Sequence, residues 1–127
     1  MSLTAAQIAA CLIGILHIGI MVGELYPWEH PWIMVRVLEK WPQPVDLSVT
    51  DTHLIAMIVH NAGIYNGIVG AGLFASASVG PAAFPAQVAL LAGGVVAGLF
   101  GAKTLSVVTM GQAVLSAIAL AVVMIFR

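Results

Sequence analysis

The sequence predicts an all-α integral membrane protein. Its four transmembrane helices form an antiparallel bundle, and a short interfacial segment joins the first two. Three observations carry this reading. Of the 127 residues, 61% are hydrophobic, and mean hydropathy is +1.09. Charged residues make up 7% of the chain, against about 25% in a soluble domain. Seven of the nine charges lie between Glu24 and Asp51, and none lies between Asp51 and Lys103. These facts exclude a water-soluble globule and a disordered chain. A net charge of −1 also leaves no basic face for phosphates, which excludes a nucleic-acid binder. The length fits one domain of several spans.

A membrane-spanning helix needs about 20 apolar residues. Four runs qualify, at about residues 3–26, 52–76, 84–102 and 104–126, with a connector at 27–51. Lipid offers backbone groups no water, so each run should be helical. None alternates apolar with polar residues as a barrel strand would. The first run lacks a basic leader and a small-residue cleavage site before Glu24, so it reads as a span and not a signal peptide. It ends near Pro27-Trp28. The connector holds Trp28, Trp32, Trp41 and four prolines. Such aromatic residues favour the membrane boundary. Pro31 to Trp41 reads either as a short helix in the interface or as an extended apolar loop. Ser48-Val49-Thr50-Asp51 supplies a cap for the second span. Gly80-Pro81 breaks the second span from the third, and Gly101 to Thr104 predicts a tight turn before the fourth. Arg36, Lys40 and Lys103 fall on one side and Arg127 on the other. The positive-inside rule then puts both termini outside the inner membrane and the connector in the cytoplasm. The single Cys11 excludes an internal disulfide and reads as a packing residue.

Ionisable groups in a span usually face the bundle interior. His17 and Glu24 are seven residues apart, nearly two turns, and so share one face of the first span. The second span carries His53, then His60, then the block Asn61 to Gly67 with Tyr65 and Asn66, the most polar stretch of any span. Thr109, Gln112 and Ser116 form a stripe in the fourth. Interhelical hydrogen bonds, worth about 0.6–2 kcal/mol each, would account for Asn61, Tyr65, Thr109 and Gln112 without any chemistry. His30 and His53 read as solvated residues. The pairs Gly19/Gly23, Gly63/Gly67 and Gly94/Gly98 let helix backbones approach closely, within the chain or between copies.

With these residues the chain resembles a widespread family of small membrane proteins known only as domain of unknown function 1304. The resemblance rests on His17, Ile20, Glu24 and Trp28; on Asn61, Gly63, Tyr65, Asn66 and Gly67; and on Ala97, Gly98, Gly101, Ala102, Thr104 and Gln112. It implies four spans and no assigned activity. The connector, and Ala62 in place of a Gln, depart from that pattern. A shorter stretch, His60 with Asn66-Gly67, resembles styrene oxide isomerase, a four-span enzyme that holds haem b on a His of its second span. Span three, without Asp, Glu or Tyr, departs from that enzyme. This resemblance implies haem b on His60, the metal ligand, with His17 the next candidate. Iron would act as a Lewis acid on an epoxide oxygen positioned by Asn66 and Tyr65. His17 and Glu24 would handle protons.

Three functions follow as expectations. One is a membrane isomerase of a small apolar, epoxide-like molecule, with its site inside the bundle and Asn66, Tyr65 and Glu24 as catalytic groups. The second is a small proton-coupled transporter using Glu24. The third is a non-catalytic accessory subunit of a membrane complex. Homo-oligomerisation is expected, because a bundle this small has little interior volume for a cofactor.

Overall fold

A computed structural model describes residues 3–39 and 48–126. Every regular element among them is helical: α1 (Ala5–Leu25), α2 (Trp32–Glu39), α3 (Val49–Val79), α4 (Phe84–Thr104) and α5 (Met110–Ile125). Three helical stretches are long and apolar enough to cross a membrane. They are Ala5–Leu25, Val49–Thr104 and Val107–Ile125, the middle one interrupted by a 3-10 turn at Gly80–Ala83 into α3 and α4. The chain divides into two compact units, Met1–Leu16 with Val69–Arg127, and His17–Ile68.

The first unit is a four-helix bundle of antiparallel neighbours. Gln7 Nε2 donates to the carbonyl of Ala77 at 2.8 Å, tying the start of α1 to the end of α3. The reversal from α3 to α4 turns on Gly80, whose φ of 79° is a left-handed value that side-chain-bearing residues avoid. Pro81 follows and cannot continue the α3 ladder. Leu90 then packs into the space beside Gly72. Between α4 and α5 the approach is closest at Gly98, where an added Cβ would collide with the backbone of Ala113. The core is built from Ala6, Ala10, Ile13, Leu73, Ala77, Leu91, Ala119 and Val123. Half of these are alanines, as lipid-embedded bundles favour, because packing and not water exclusion holds such helices together. Cys11 is half-buried against this core. An apolar groove of about 440 Å³ runs between α1 and α5, lined by Leu12, Leu16, Leu115 and Ile118 among others.

The turn between α4 and α5 lies later than the sequence predicts. Gly101 and Lys103 stay inside α4, and the chain turns at Leu105 and Ser106, whose N–H groups both donate to the Gly101 carbonyl at 2.8 and 3.1 Å. Gly101 is spent on packing, because Thr109 fills the place of its missing side chain.

The second unit holds the end of α1, all of α2 and the first part of α3. The connector's ambiguity resolves as a helix, since Trp32–Glu39 is α-helical. The carbonyl of Pro31 accepts from Val35 N–H at 3.1 Å and opens the first turn. Met34 is buried, Ile33 packs on Gly23, and Trp32, Arg36 and Glu39 face outward. Lys40 and Trp41, assigned by sequence to the end of this segment, lie outside the described residues, as does Arg127.

Helix α3 begins three residues before the predicted span. Ser48 and Asp51 form a reciprocal cap. Asp51 N–H donates to Ser48 Oγ at 3.2 Å, and Ser48 N–H donates to Asp51 Oδ2 at 3.2 Å. Gly63 and Gly67 face α1. A Cβ at Gly63 would stand 3.1 Å from Glu24 Cβ, and one at Gly67 would collide with Met21 Sδ. Of the glycine pairs read from the sequence, Gly63/Gly67 meets α1, while Gly19 has no neighbour where its side chain would be.

Candidate functional site

The close approach at Gly63 and Gly67 sets three polar side chains against one another. Asn66 lies on the same turns of α3 and reaches α1. Its Nδ2 donates to Glu24 Oε2 at 2.8 Å and to the Ala62 carbonyl at 3.2 Å. Its Oδ1 lies 2.8 Å from His17 Nδ1. Both amide protons face acceptors, so the amide oxygen must face His17, and His17 must donate from Nδ1. The ring's other nitrogen, Nε2, is buried and has no hydrogen-bond partner. His17 is 2% exposed. Met21, one turn from both His17 and Glu24, fills the notch at Gly67.

This arrangement fixes a tautomer at a distance. With Glu24 ionised, Asn66 turns its NH2 toward Glu24, and His17 keeps its proton on Nδ1. Its buried Nε2 then presents a lone pair. A lone pair on an imidazole in apolar surroundings is a base, held ready by a carboxylate it does not touch.

His60 lies outside this cluster. It is 7% exposed and stacks on Trp28, with ring centroids 3.9 Å apart and planes at 24°. Its Nε2 is also buried and without a partner. An unpartnered imidazole nitrogen is the right chemistry for an iron ligand. The surroundings do not fit a haem, however. Trp28 covers one face of the ring, and Nε2 is itself enclosed, which leaves a rigid macrocycle no approach in this arrangement. Among the described residues, no group of three or more His, Cys, Asp or Glu side chains converges to hold a metal ion.

The remaining sequence candidates are dispersed. Tyr65 is 62% exposed and points away from the bonds made by its neighbour Asn66. Asn61, His30 and His53 are exposed. Thr109 donates to the Ser106 carbonyl at 2.8 Å, and Ser116 is fully buried with an unpartnered Oγ. Thr109 also packs on Gly101, and Gln112, the third member of that stripe, is half-buried. The Trp28–His60 stack and the buried Gln87 of α4 were not singled out as partners by sequence, and nothing in spacing alone would have paired them.

Trp28→Ala should uncover His60. Diethyl pyrocarbonate, read by peptide mass, should then modify His60 several-fold faster than in the wild type. An unchanged rate would mean that some other group closes off Nε2.

Among curated proteins and among solved structures, none matches the chain. A family model does match, over residues 11–124, and it includes His17, Glu24, Trp28, His60 and Asn66. The chain belongs to the family described as protein of unknown function DUF1304.

Proposed function

We propose that the chain is an integral membrane enzyme that isomerises a small apolar, epoxide-type molecule by lending and recovering one proton at His17. The observation that carries this reading is the hydrogen-bonded chain from His17 through Asn66 to Glu24, which leaves His17 Nε2 buried and unpartnered.

The chemistry uses only these side chains. The Glu24 carboxylate, acting through Asn66, supports a positive ring at His17. Nε2 takes up a proton while Nδ1 keeps its own on Asn66 Oδ1, and the ring becomes an imidazolium. The imidazolium Nε2–H protonates the epoxide oxygen, and the carbon–oxygen bond breaks toward oxygen. A hydride from the neighbouring carbon shifts to the cationic carbon as the carbonyl forms. The carbonyl's proton returns to Nε2. Atoms and charge balance, and no oxidant or reductant is needed. Apolar surroundings keep water from trapping the cation as a diol. A substrate of this kind reaches the site through lipid, displacing the flexible Met21.

The test is conversion of a small aryl epoxide to its aldehyde by the purified protein in lipid vesicles, followed by NMR. His17→Ala should lower the rate at least about 100-fold, the usual scale of a lost general acid or base. Equal rates for wild type and His17→Ala would sink the proposal.

A second reading, proton-coupled transport, draws on one observation. Glu24 is half-buried and one residue from the end of α1, where a carboxylate can exchange protons with water. It is selected if the epoxide is untouched and a pH gradient drives solute uptake that Glu24→Gln abolishes. In either case we place the chain in the inner membrane, with both termini outside and the connector cytoplasmic, from the distribution of Arg36, Lys40 and Lys103 against Arg127.

A further inference from the structure

Three contacts tie α1 and the residues just after it to α3, and they fall in one antiparallel register. Met21 fills the notch at Gly67, Glu24 lies against Gly63, and Trp28 stacks on His60. Steps of three and four residues forward, from 21 to 24 to 28, are matched by steps of four and three back, from 67 to 63 to 60. The register therefore continues beyond Leu25, where α1 ends, and its last rung is a pair of rings. Two backbone bonds hold Trp28 at that rung. Tyr26 N–H donates to the Val22 carbonyl at 2.8 Å and extends the α1 ladder. Trp32 N–H donates to the Tyr26 carbonyl at 2.9 Å and closes the loop that carries Trp28. All of these residues belong to one compact unit.

We infer that the Trp28–His60 stack is the clamp that keeps Glu24 on Asn66, which makes Trp28 and His60 positioning residues and rests on the proton relay proposed for His17. Glu24 stands one residue from the end of α1, and helix ends fray. Lipid supplies no hydrophobic force to hold one helix in register with another, so specific contacts must do so. A slip of one residue would turn Glu24 by about 100° and take its carboxylate off Asn66. Leucine would fill position 60 without leaving a buried nitrogen unpaired, as Nε2 of His60 is. What the imidazole adds is a flat face for the indole. His60 therefore works through its ring and not through its nitrogen.

Four variants in lipid vesicles test this: Trp28→Leu, Trp28→Phe, His60→Leu and His60→Phe. Leucine removes a ring from the stack, and phenylalanine keeps one. Two readouts are taken, the 15N spectrum of the neutral His17 ring and the rate of epoxide conversion. In both leucine variants the His17 ring should show both tautomers, because Glu24 no longer orients the Asn66 amide. Conversion should fall about 2- to 12-fold, the scale of one aromatic pair. Both phenylalanine variants should keep the ring proton on Nδ1 and convert the epoxide within about twofold of the wild type. Leucine variants with the wild-type tautomer would overturn the clamp. So would phenylalanine variants that behave as the leucine ones do, because a ring alone would then not suffice. Either partner of the stack can be varied, so a variant that fails to fold leaves the other partner to decide. Failure of the relay shows separately, as a mixture of tautomers in the wild type itself.

Discussion

Asn66→Leu is expected to cost the protein both its activity and part of its fold, and Glu24→Gln only the first. Leucine keeps the branched outline of asparagine and breaks three contacts at once: the bonds to Glu24 and His17, and the local one to Ala62. It leaves a half-buried carboxylate and a buried imidazole without partners. Each unsatisfied group costs about 1–3 kcal/mol, so a loss of roughly 2–4 kcal/mol is expected from denaturation in mixed micelles. Epoxide conversion should fall at least about 100-fold. Glutamine at position 24 separates the two effects. Its carbonyl still accepts from Asn66 Nδ2, so stability should change by less than about 1 kcal/mol. It carries no negative charge to support the His17 imidazolium, so conversion should fall as far as in Asn66→Leu. The 15N spectrum of the His17 ring gives an independent reading. In the wild type the proton of the neutral ring should sit on Nδ1, and in Glu24→Gln, whose amide can donate or accept, both tautomers should appear. A mixture of tautomers in the wild type would refute the relay.

Gly98→Val is expected to open the α4–α5 hairpin. At most helix contacts a new methyl meets a side chain that can move. At Gly98 it meets the N and Cα of Ala113, which can move only with the whole of α5. Overpacking a rigid contact costs about 1–3 kcal/mol, and two added methyl groups on top of the first Cβ place valine at or above the upper end. Hydrogen exchange along α5 should rise first. Gly67→Ala is the contrast, because its new Cβ meets only the thioether of Met21. A Gly98→Val protein with α5 protected as in wild type would show that the two helices can separate without cost.

Hydropathy and charge placement sufficed to find the helices, because a membrane leaves backbone groups little choice. The face shared by His17 and Glu24 was legible too, since seven residues is a property of one helix. What joins them was not. Asn66 meets them through the register of α3 against α1, which depends on Gly63 and Gly67 letting the backbones close up, and hydropathy carries no register. Tyr65 shows the same gap from the other side. Adjacent residues on a helix lie about 100° apart, so a polar neighbour of a working residue faces elsewhere as a rule. The turn before α5 was misplaced because glycine is used in two ways, to turn a chain and to let helices touch, and Gly101 does the second.

The lengths of α1 and α3 carry a consequence for the bilayer itself. At 21 and 31 residues they measure about 31 and 46 Å, against roughly 30 Å of hydrocarbon. Glu24, at the end of α1, stands level with Gly63, so the 14 residues of α3 from Val49 to Ala62 continue past it. The longer helix can tilt or protrude when membrane thickness changes, whereas the shorter has no surplus and its end must follow the surface. Glu24 rides on that end. A thicker leaflet draws its carboxylate below the headgroups and a thinner one lifts it into water. Under the proposed function, the lipid composition around this protein would act as a dial on how readily Glu24 exchanges its proton.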